Sequence, residues 1–244
     1  KQQVVIQKDV FMRGLQQTMY AASPSMIRPE LGSVYVAIRD NTVVFVATDS
    51  FRLAEKTITG VSSKAELDIL VPLKHAGELA FILERVKETA VSIIIEESQM
   101  VAVSGSVRYI SRVIDAQFPN YKEIIPKQFA TEATLLKSEF AEMLRKARVF
   151  AGNEQHVGLH VYPNKKIFTA TARSENVGEM SDSIDAALTG DDMDINFHIG
   201  YLAECLSSIE SDSIKLGFSG MGRALVIRGV SDSSFMYLVM PLNR

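Results

Sequence analysis

Four groups of residues in this chain are of types that do chemistry, and their spacing decides whether they can. His156 and His160 lie in HVGLHVY, which reads as a strand. The strand rise separates them by about 13 Å, too far to share one metal ion. Asp191, Asp192 and Asp194 could offer carboxylates to a divalent cation, but the stretch lacks the glycine turn and closing glutamate of a calcium loop. A solvated loop is expected there. The GFSGMGR stretch at Gly217 is glycine-rich, yet it runs into the strand-like ALVIRGV, so the helix N-terminus that a phosphate loop requires is missing. Cys205 follows Leu202 on an apolar stripe and has no partner to activate its thiol. No catalytic set, metal or cofactor is expected.

A fifth stretch, ATDSFRLAEK from Ala47 to Lys56, points to binding instead of catalysis. The preceding TVVFVAT is a buried strand by its run of β-branched and aromatic residues, and the chain then turns at Asp49-Ser50. Phe51, Arg52 and Leu53 follow in succession, so alternation must send a hydrophobic residue or the arginine to the unfavourable face.

The elements that position this corner are duplicated. Lys8-Asp-Val-Phe11-Met-Arg-Gly-Leu15 recurs as Lys137-Ser-Glu-Phe140-Ala-Glu-Met-Leu144, and DILVPLKHAGELAFIL from Asp68 resembles DINFHIGYLAECLSSI from Asp194. Each copy appears twice over as strand, helix and about three strands, with helices predicted at 8–21, 74–86, 138–150 and 200–209. Phe11, Leu15 and Met19 form the apolar stripe of the first helix, with Lys8, Arg13, Gln16 and Gln17 facing away. Phe140, Leu144 and Ala147 repeat the stripe in the third, with Arg145, Lys146 and Arg148 around the other side. Hairpin turns are marked by Arg39-Asp-Asn41, Ser104-Gly-Ser106, Pro163-Asn164 and Ser219-Gly-Met-Gly222. The segment FPNYKEIIPKQFATEAT, with Pro119 and Pro126, closes the first copy, and a linker is expected near Ile125 to Glu132.

Together the corner, the FPNYKEIIP segment, the terminal FMYLVMPLNR and the tandem β-rich repeats resemble the bacterial sliding clamps, the beta subunits of DNA polymerase III. The resemblance covers essentially the whole chain. It implies an α+β fold of two tandem sliding-clamp (DNA clamp) domains, each a duplicated strand-helix-three-strand unit with helices on one face of antiparallel sheets. Residues 1–126 would resemble the family's middle domain and 127–244 its C-terminal domain. Family subunits carry three such domains and close head to tail as a ring-shaped homodimer around duplex DNA. The methionine-free start KQQVVI accords with a first domain missing by processing or excision, and such a fragment is expected to be monomeric.

The resemblance further implies a hydrophobic peptide-binding cleft that docks the DNA polymerase catalytic subunit, the clamp loader and repair proteins through short hydrophobic peptides. Leu31, Thr48, Phe51, Arg52 and Leu53 match its corner and neighbouring strand, Pro119 and Ile124 its pre-linker wall, and Val239, Met240, Pro241 and Leu242 its C-terminal wall. Methionine and aliphatic side chains suit varied peptides, while Arg52 can give direction and line the wall with its stem. Phe51 stands where many relatives have His or Tyr, Glu123 where a basic residue is frequent, and Asn243-Arg244 where a hydrophobic terminus is common. Arg28 and Lys74 match positions facing the DNA backbone.

Composition bounds these expectations. The 244 residues are 47% hydrophobic and carry a formal net charge of −3, which gives no overall attraction to nucleic acid. On the four predicted helices, Lys8, Arg13, Lys74, Arg85, Arg145, Lys146 and Arg148 slightly outnumber the acidic residues, the sign expected of a surface that phosphates pass. A single cysteine rules out an internal disulfide and fits a reducing cytoplasm, and no apolar run approaches the length of a membrane span. Two other classes stay open, a peptide-binding adaptor unrelated to replication and a hydrolase with a site at the domain junction.

Overall fold

The computed structural model describes residues 2–61, 66–96 and 98–242. The departure at Asn243-Arg244 lies outside the described residues. The chain divides into two compact units, Lys1–Asn120 and Tyr121–Arg244. The division falls ahead of the boundary at 126 drawn from the sequence, because Tyr121–Ile124 forms a 3-10 turn whose Tyr121 is buried.

The first unit runs β1 (Gln2–Gln7), α1 (Lys8–Thr18), β2 (Ser33–Arg39), β3 (Thr42–Thr48) and β4 (Arg52–Thr59). It then repeats the plan as β5 (Leu67–Pro72), α2 (Leu73–Arg85), β6 (Ala90–Glu96), β7 (Gln99–Ser104) and β8 (Val107–Arg112). Antiparallel pairing gives the orders β1-β6-β7-β8 and β5-β2-β3-β4. Each half therefore lends its first strand to the sheet of the other, which locks the halves together. Helix α1 packs against β3 and β4, against β1 and β6, and against α2. Gly14 makes this close approach possible: a Cβ there would stand 2.2 Å from the Phe45 ring. Phe11 meets the same ring edge-on at 5.5 Å.

The second unit runs β9 (Thr131–Leu136), α3 (Lys137–Phe150), β10 (His156–Tyr162), β11 (Ile167–Ser174), β12 (Gly178–Ser183) and β13 (Ala186–Gly190). After these come β14 (Met193–His198), α4 (Ile199–Glu204), β15 (Ser213–Phe218), β16 (Leu225–Gly229) and β17 (Phe235–Val239). The orders are β12-β11-β10-β14 and β13-β9-β15-β16-β17. The third strand of its first half is split: β12 closes one sheet, and after Ile184-Asp185 the chain crosses to the other sheet as β13. Glu132, placed in the expected linker, lies in β9, which pairs with both β13 and β15.

The repeat extends to individual hydrogen bonds. Lys8 donates its backbone N–H to Thr89 O and its ammonium to Val86 O, and Lys137 does the same to Asp212 O and Ile209 O. Leu73 N–H donates to Gly32 O, and Ile199 N–H to Gln155 O. Helix starts leave N–H groups without intrahelical partners, and these bonds satisfy one at each start. Lys8 is thus no outward-facing cation, since its side chain is only 12% exposed and holds the carbonyl just past α2. Gln17, also read as outward-facing, is buried. The Asp40-Asn41 hairpin has both residues at positive φ, 47° and 61°, which is why Asp and Asn stand there.

Candidate functional site

The corner resolves its alternation conflict outside the strand. Thr48 ends β3, Ser50 takes φ 80°, and β4 begins only at Arg52. Phe51 is left in the turn with 61% of its surface exposed, while Leu53 is buried in the core. Asp49 braces the turn. Its Oδ1 accepts from the backbone N–H groups of Phe51 and Arg52 at 2.9 and 3.0 Å, and its Oδ2 accepts from Arg52 Nε at 2.9 Å. Thr48 Oγ1 donates to Arg52 O at 2.6 Å and accepts from Ser50 N–H at 3.2 Å.

Arg52 is held from the far side too. Its Nη2 donates to Tyr20 O at 2.7 Å, and the guanidinium carbon lies 5.9 Å from the Tyr20 ring centre. A guanidinium fixed by a carboxylate and a carbonyl is a rigid donor, and its ordering entropy is already spent before any ligand arrives. The same side chain lines a cleft of about 460 Å³ with Met19, Tyr20, Ala22, Pro24, Leu73, Lys74, Gly77 and Glu78. Lys74, nominated for DNA, therefore shares a cleft with Arg52, nominated for peptide. Lys74 lies in the first turn of α2, is 83% exposed, and approaches Glu78 to 4.0 Å one turn on. Arg28 lies in the loop before β2 and donates from Nε to Glu30 Oε1 at 3.0 Å.

The other nominated residues differ in what they can offer. Leu31 and Thr48 are buried in the first unit, and Pro119 is half-buried. Phe118, beside Pro119, stacks on Tyr35 with ring centres 5.0 Å apart, while Tyr35 OH donates to Asp68 Oδ1 at 2.8 Å. This stack anchors the FPNY segment to the sheet. In the second unit Ile124 is 56% exposed and Met240 38% exposed. Val239 is wholly buried, and Pro241 and Leu242 are half-buried. Leu242 N–H donates to Asn196 O at 2.8 Å, which ties the tail to β14. The first unit thus exposes apolar surface at Phe51, and the second, taken by itself, at Ile124 and Met240.

Most helix cations named from the sequence have local partners. Arg145 meets Glu142 with two nitrogens, at 2.9 and 2.6 Å, and this pairing holds the Glu142 carboxyl below the usual range. Lys146 reaches Asp182 at 3.0 Å. Arg85 stacks over Phe81 at 3.5 Å and contacts Glu84 at 3.2 Å. No helix among the described residues is long and apolar enough to cross a membrane.

Sequence reasoning missed two features. The turn at Asp49-Ser50 is readable in the sequence, but not that Asp49 braces it with both carboxylate oxygens, although an Asp before a turn commonly does so. The polar surface of β10, β11 and β14 was also missed: His160 faces Asp194 across β10–β14, and its ring bonds both Asp194 and Thr171.

Comparison with known proteins covers both units. The sequence model of the DNA polymerase III beta subunit, central domain, matches residues 5–120, and that of the C-terminal domain matches 122–243. The Beta sliding clamp of Bacillus subtilis (strain 168) is 28% identical over 244 residues, which is 98% of this chain and 64% of that protein. The crystal structure of the Bacillus subtilis DNA polymerase sliding clamp superposes with a TM-score of 0.93 at 26% identity, over 100% of this chain and 64% of that one. A Pseudomonas aeruginosa sliding clamp bound to griselimycin has the same fold, with a TM-score of 0.92 at 20% identity over 100% of this chain and 66% of that one. The chain spans just under two thirds of the length of these relatives.

Proposed function

This chain belongs to the DNA polymerase III beta-subunit family, and from that membership we propose that it serves as the docking half of a sliding clamp. The observation that carries the reading is the unbroken succession of the central-domain and C-terminal-domain matches over 5–120 and 122–243. The family is one of non-catalytic processivity factors. In this role the protein holds replication enzymes on duplex DNA by enclosure in a homodimeric ring, in the cytoplasm, without reading base sequence. Enclosure needs little electrostatic affinity, which suits a chain of net charge −3 whose helix cations are largely tied to neighbouring carboxylates. Arg28 and Lys74 are the proposed backbone contacts.

The proposed cleft takes short hydrophobic peptides carried by the polymerase catalytic subunit, the clamp loader and repair proteins. From the first unit the proposal draws on exposed Phe51, on Pro119 and on Arg52 as a fixed donor, and from the second on exposed Ile124 and Met240 with Pro241 and Leu242. Leu31, Thr48 and Leu53 are buried supports within the first unit, and Val239 within the second. Griselimycin is a ready competitor, since a relative binds it. Ring closure is supported by β12, an outermost strand of its sheet, and by Val149 at the end of α3, 62% exposed. Competition between a fluorescent hydrophobic peptide and griselimycin tests the docking reading. Mutual displacement is expected, and simultaneous binding of both would refute a shared cleft.

A further inference from the structure

Side-chain sulfur is readily oxidised by peroxides, and this chain carries it in ten methionines and one cysteine. Burial sorts them. Cys205 is wholly buried, with its Sγ donating to Leu202 O at 3.3 Å, so the thiol is shielded from solvent. Met100, Met143, Met193 and Met236 are buried as well, and Met12, Met19 and Met180 are half-buried. Among the described residues, exposed methionines remain at three places: Met26 at 52%, Met221 at 69% and Met240 at 38%.

The three differ in their surroundings. Met26 lies in the loop before β2, and its Sδ covers Gly32, where an added carbon would stand 2.7 Å from it. Met221 lies in the turn between β15 and β16. Neither belongs to the proposed cleft. Met240 does, and its thioether is the only sulfur among the residues drawn on there.

Met240 is also held in place. Val239 before it is wholly buried and pairs with Leu225 of β16. Pro241 after it has a ring-fixed φ and restricts the preceding residue to extended backbone. Leu242 N–H then donates to Asn196 O at 2.8 Å. The backbone is anchored on both sides of an exposed thioether, so that side chain is presented at a fixed place instead of trailing from a loose terminus.

We propose, resting on the docking reading above, that Met240 is an oxidation site through which peroxides switch peptide docking off. A lone pair on its Sδ attacks one oxygen of the peroxide, and an S–O bond forms as the O–O bond breaks. The departing hydroxide takes the proton from the transferred oxygen and leaves as water. Sulfur loses two electrons and the peroxide gains them, so the products are methionine sulfoxide and water. The thioether fits varied apolar partners because it is flexible and polarizable. The sulfoxide is polar and chiral, and an apolar peptide side chain offers its oxygen no donor. Reduction of the sulfoxide restores the docking surface, so the switch is reversible.

Hydrogen peroxide is the probe, with peptide mapping by mass spectrometry to locate the added oxygen and the fluorescent hydrophobic peptide to report affinity. Treatment should add one oxygen at Met240, as at Met26 and Met221, and leave the circular dichroism spectrum unchanged. Peptide binding should weaken roughly tenfold, the size expected when a polar group enters an apolar contact without a partner. Methionine sulfoxide reductases for both epimers, supplied together, should restore it. Met26→Leu with Met221→Leu should lose affinity on treatment as the native chain does. In Met240→Leu the affinities before and after treatment should agree, whatever the starting value. Full oxidation of Met240 with affinity unchanged, an equal loss in Met240→Leu, or a Met240 that resists peroxide while Met26 and Met221 react would overturn the switch and leave the docking reading standing. An untreated chain that binds no peptide would refute the docking reading and the switch together.

Discussion

At the scale of single residues, the corner at Asp49 decides how the proposed cleft is presented. Removing its carboxylate leaves the N–H groups of Phe51 and Arg52 and the Arg52 guanidinium without an acceptor that now serves all three. Asp49→Ala is expected to cost about 2 kcal/mol in stability, read from the shift in urea midpoint at constant slope. Gly14→Ala tests close packing instead. With the Phe45 ring 2.2 Å from the added carbon, overpacking should cost about 1–3 kcal/mol, although alanine is the better helix former. The Phe51-Arg52-Leu53 conflict was legible because alternation is a property of sequence. Its solution was not, since it depends on Ser50 at positive φ and on Tyr20 O, a partner distant along the chain. For the same reason His156 and His160 were compared along their strand, whereas the partners of His160 lie on neighbouring strands. Register decides such meetings, and one sequence does not print it.

At the scale of elements, the duplicated motif K-x-x-F-x-x-x-L has a physical explanation in both copies. Phe11 and Phe140 meet Phe45 and Phe168 edge-on, and Lys8 and Lys137 hold the carbonyls of Val86 and Ile209. Lys8→Met and Lys137→Met should each lose about 1.5–3 kcal/mol, the range for a bond to a charged donor. Hydrogen exchange should quicken first where α2 ends in the former and just after α4 in the latter. Helix periodicity and turn chemistry made the four helices and the Asp40-Asn41 hairpin readable in advance. The split of one strand into β12 and β13 was unreadable, because it reflects a crossing between two sheets and not a change in local propensity.

The anchoring of the FPNY segment is an element-scale feature with its own pH signature. Burial, helped by the bond to the Asp68 carboxylate, pushes the Tyr35 phenol up to about 12. A pKa raised on folding contributes stability that is complete below the unfolded value near 10 and is lost as pH rises through about 12. Urea midpoints measured across that window should fall with pH, and they should fall less steeply in Tyr35→Phe.

At the scale of the whole molecule, the central claim is that the two units of a DNA polymerase III beta-subunit chain carry what is needed to dock a hydrophobic peptide. Titration calorimetry with a peptide of one glutamine followed by a short Leu/Phe-containing run tests it most directly, on the native chain and on Met240→Ala with Leu242→Ala. The account predicts micromolar binding, weakened by roughly 2 kcal/mol or more in the double variant, as truncating buried anchors in interfaces does. Unchanged affinity in the double variant, with its circular dichroism spectrum intact, would contradict the account and place the peptide elsewhere.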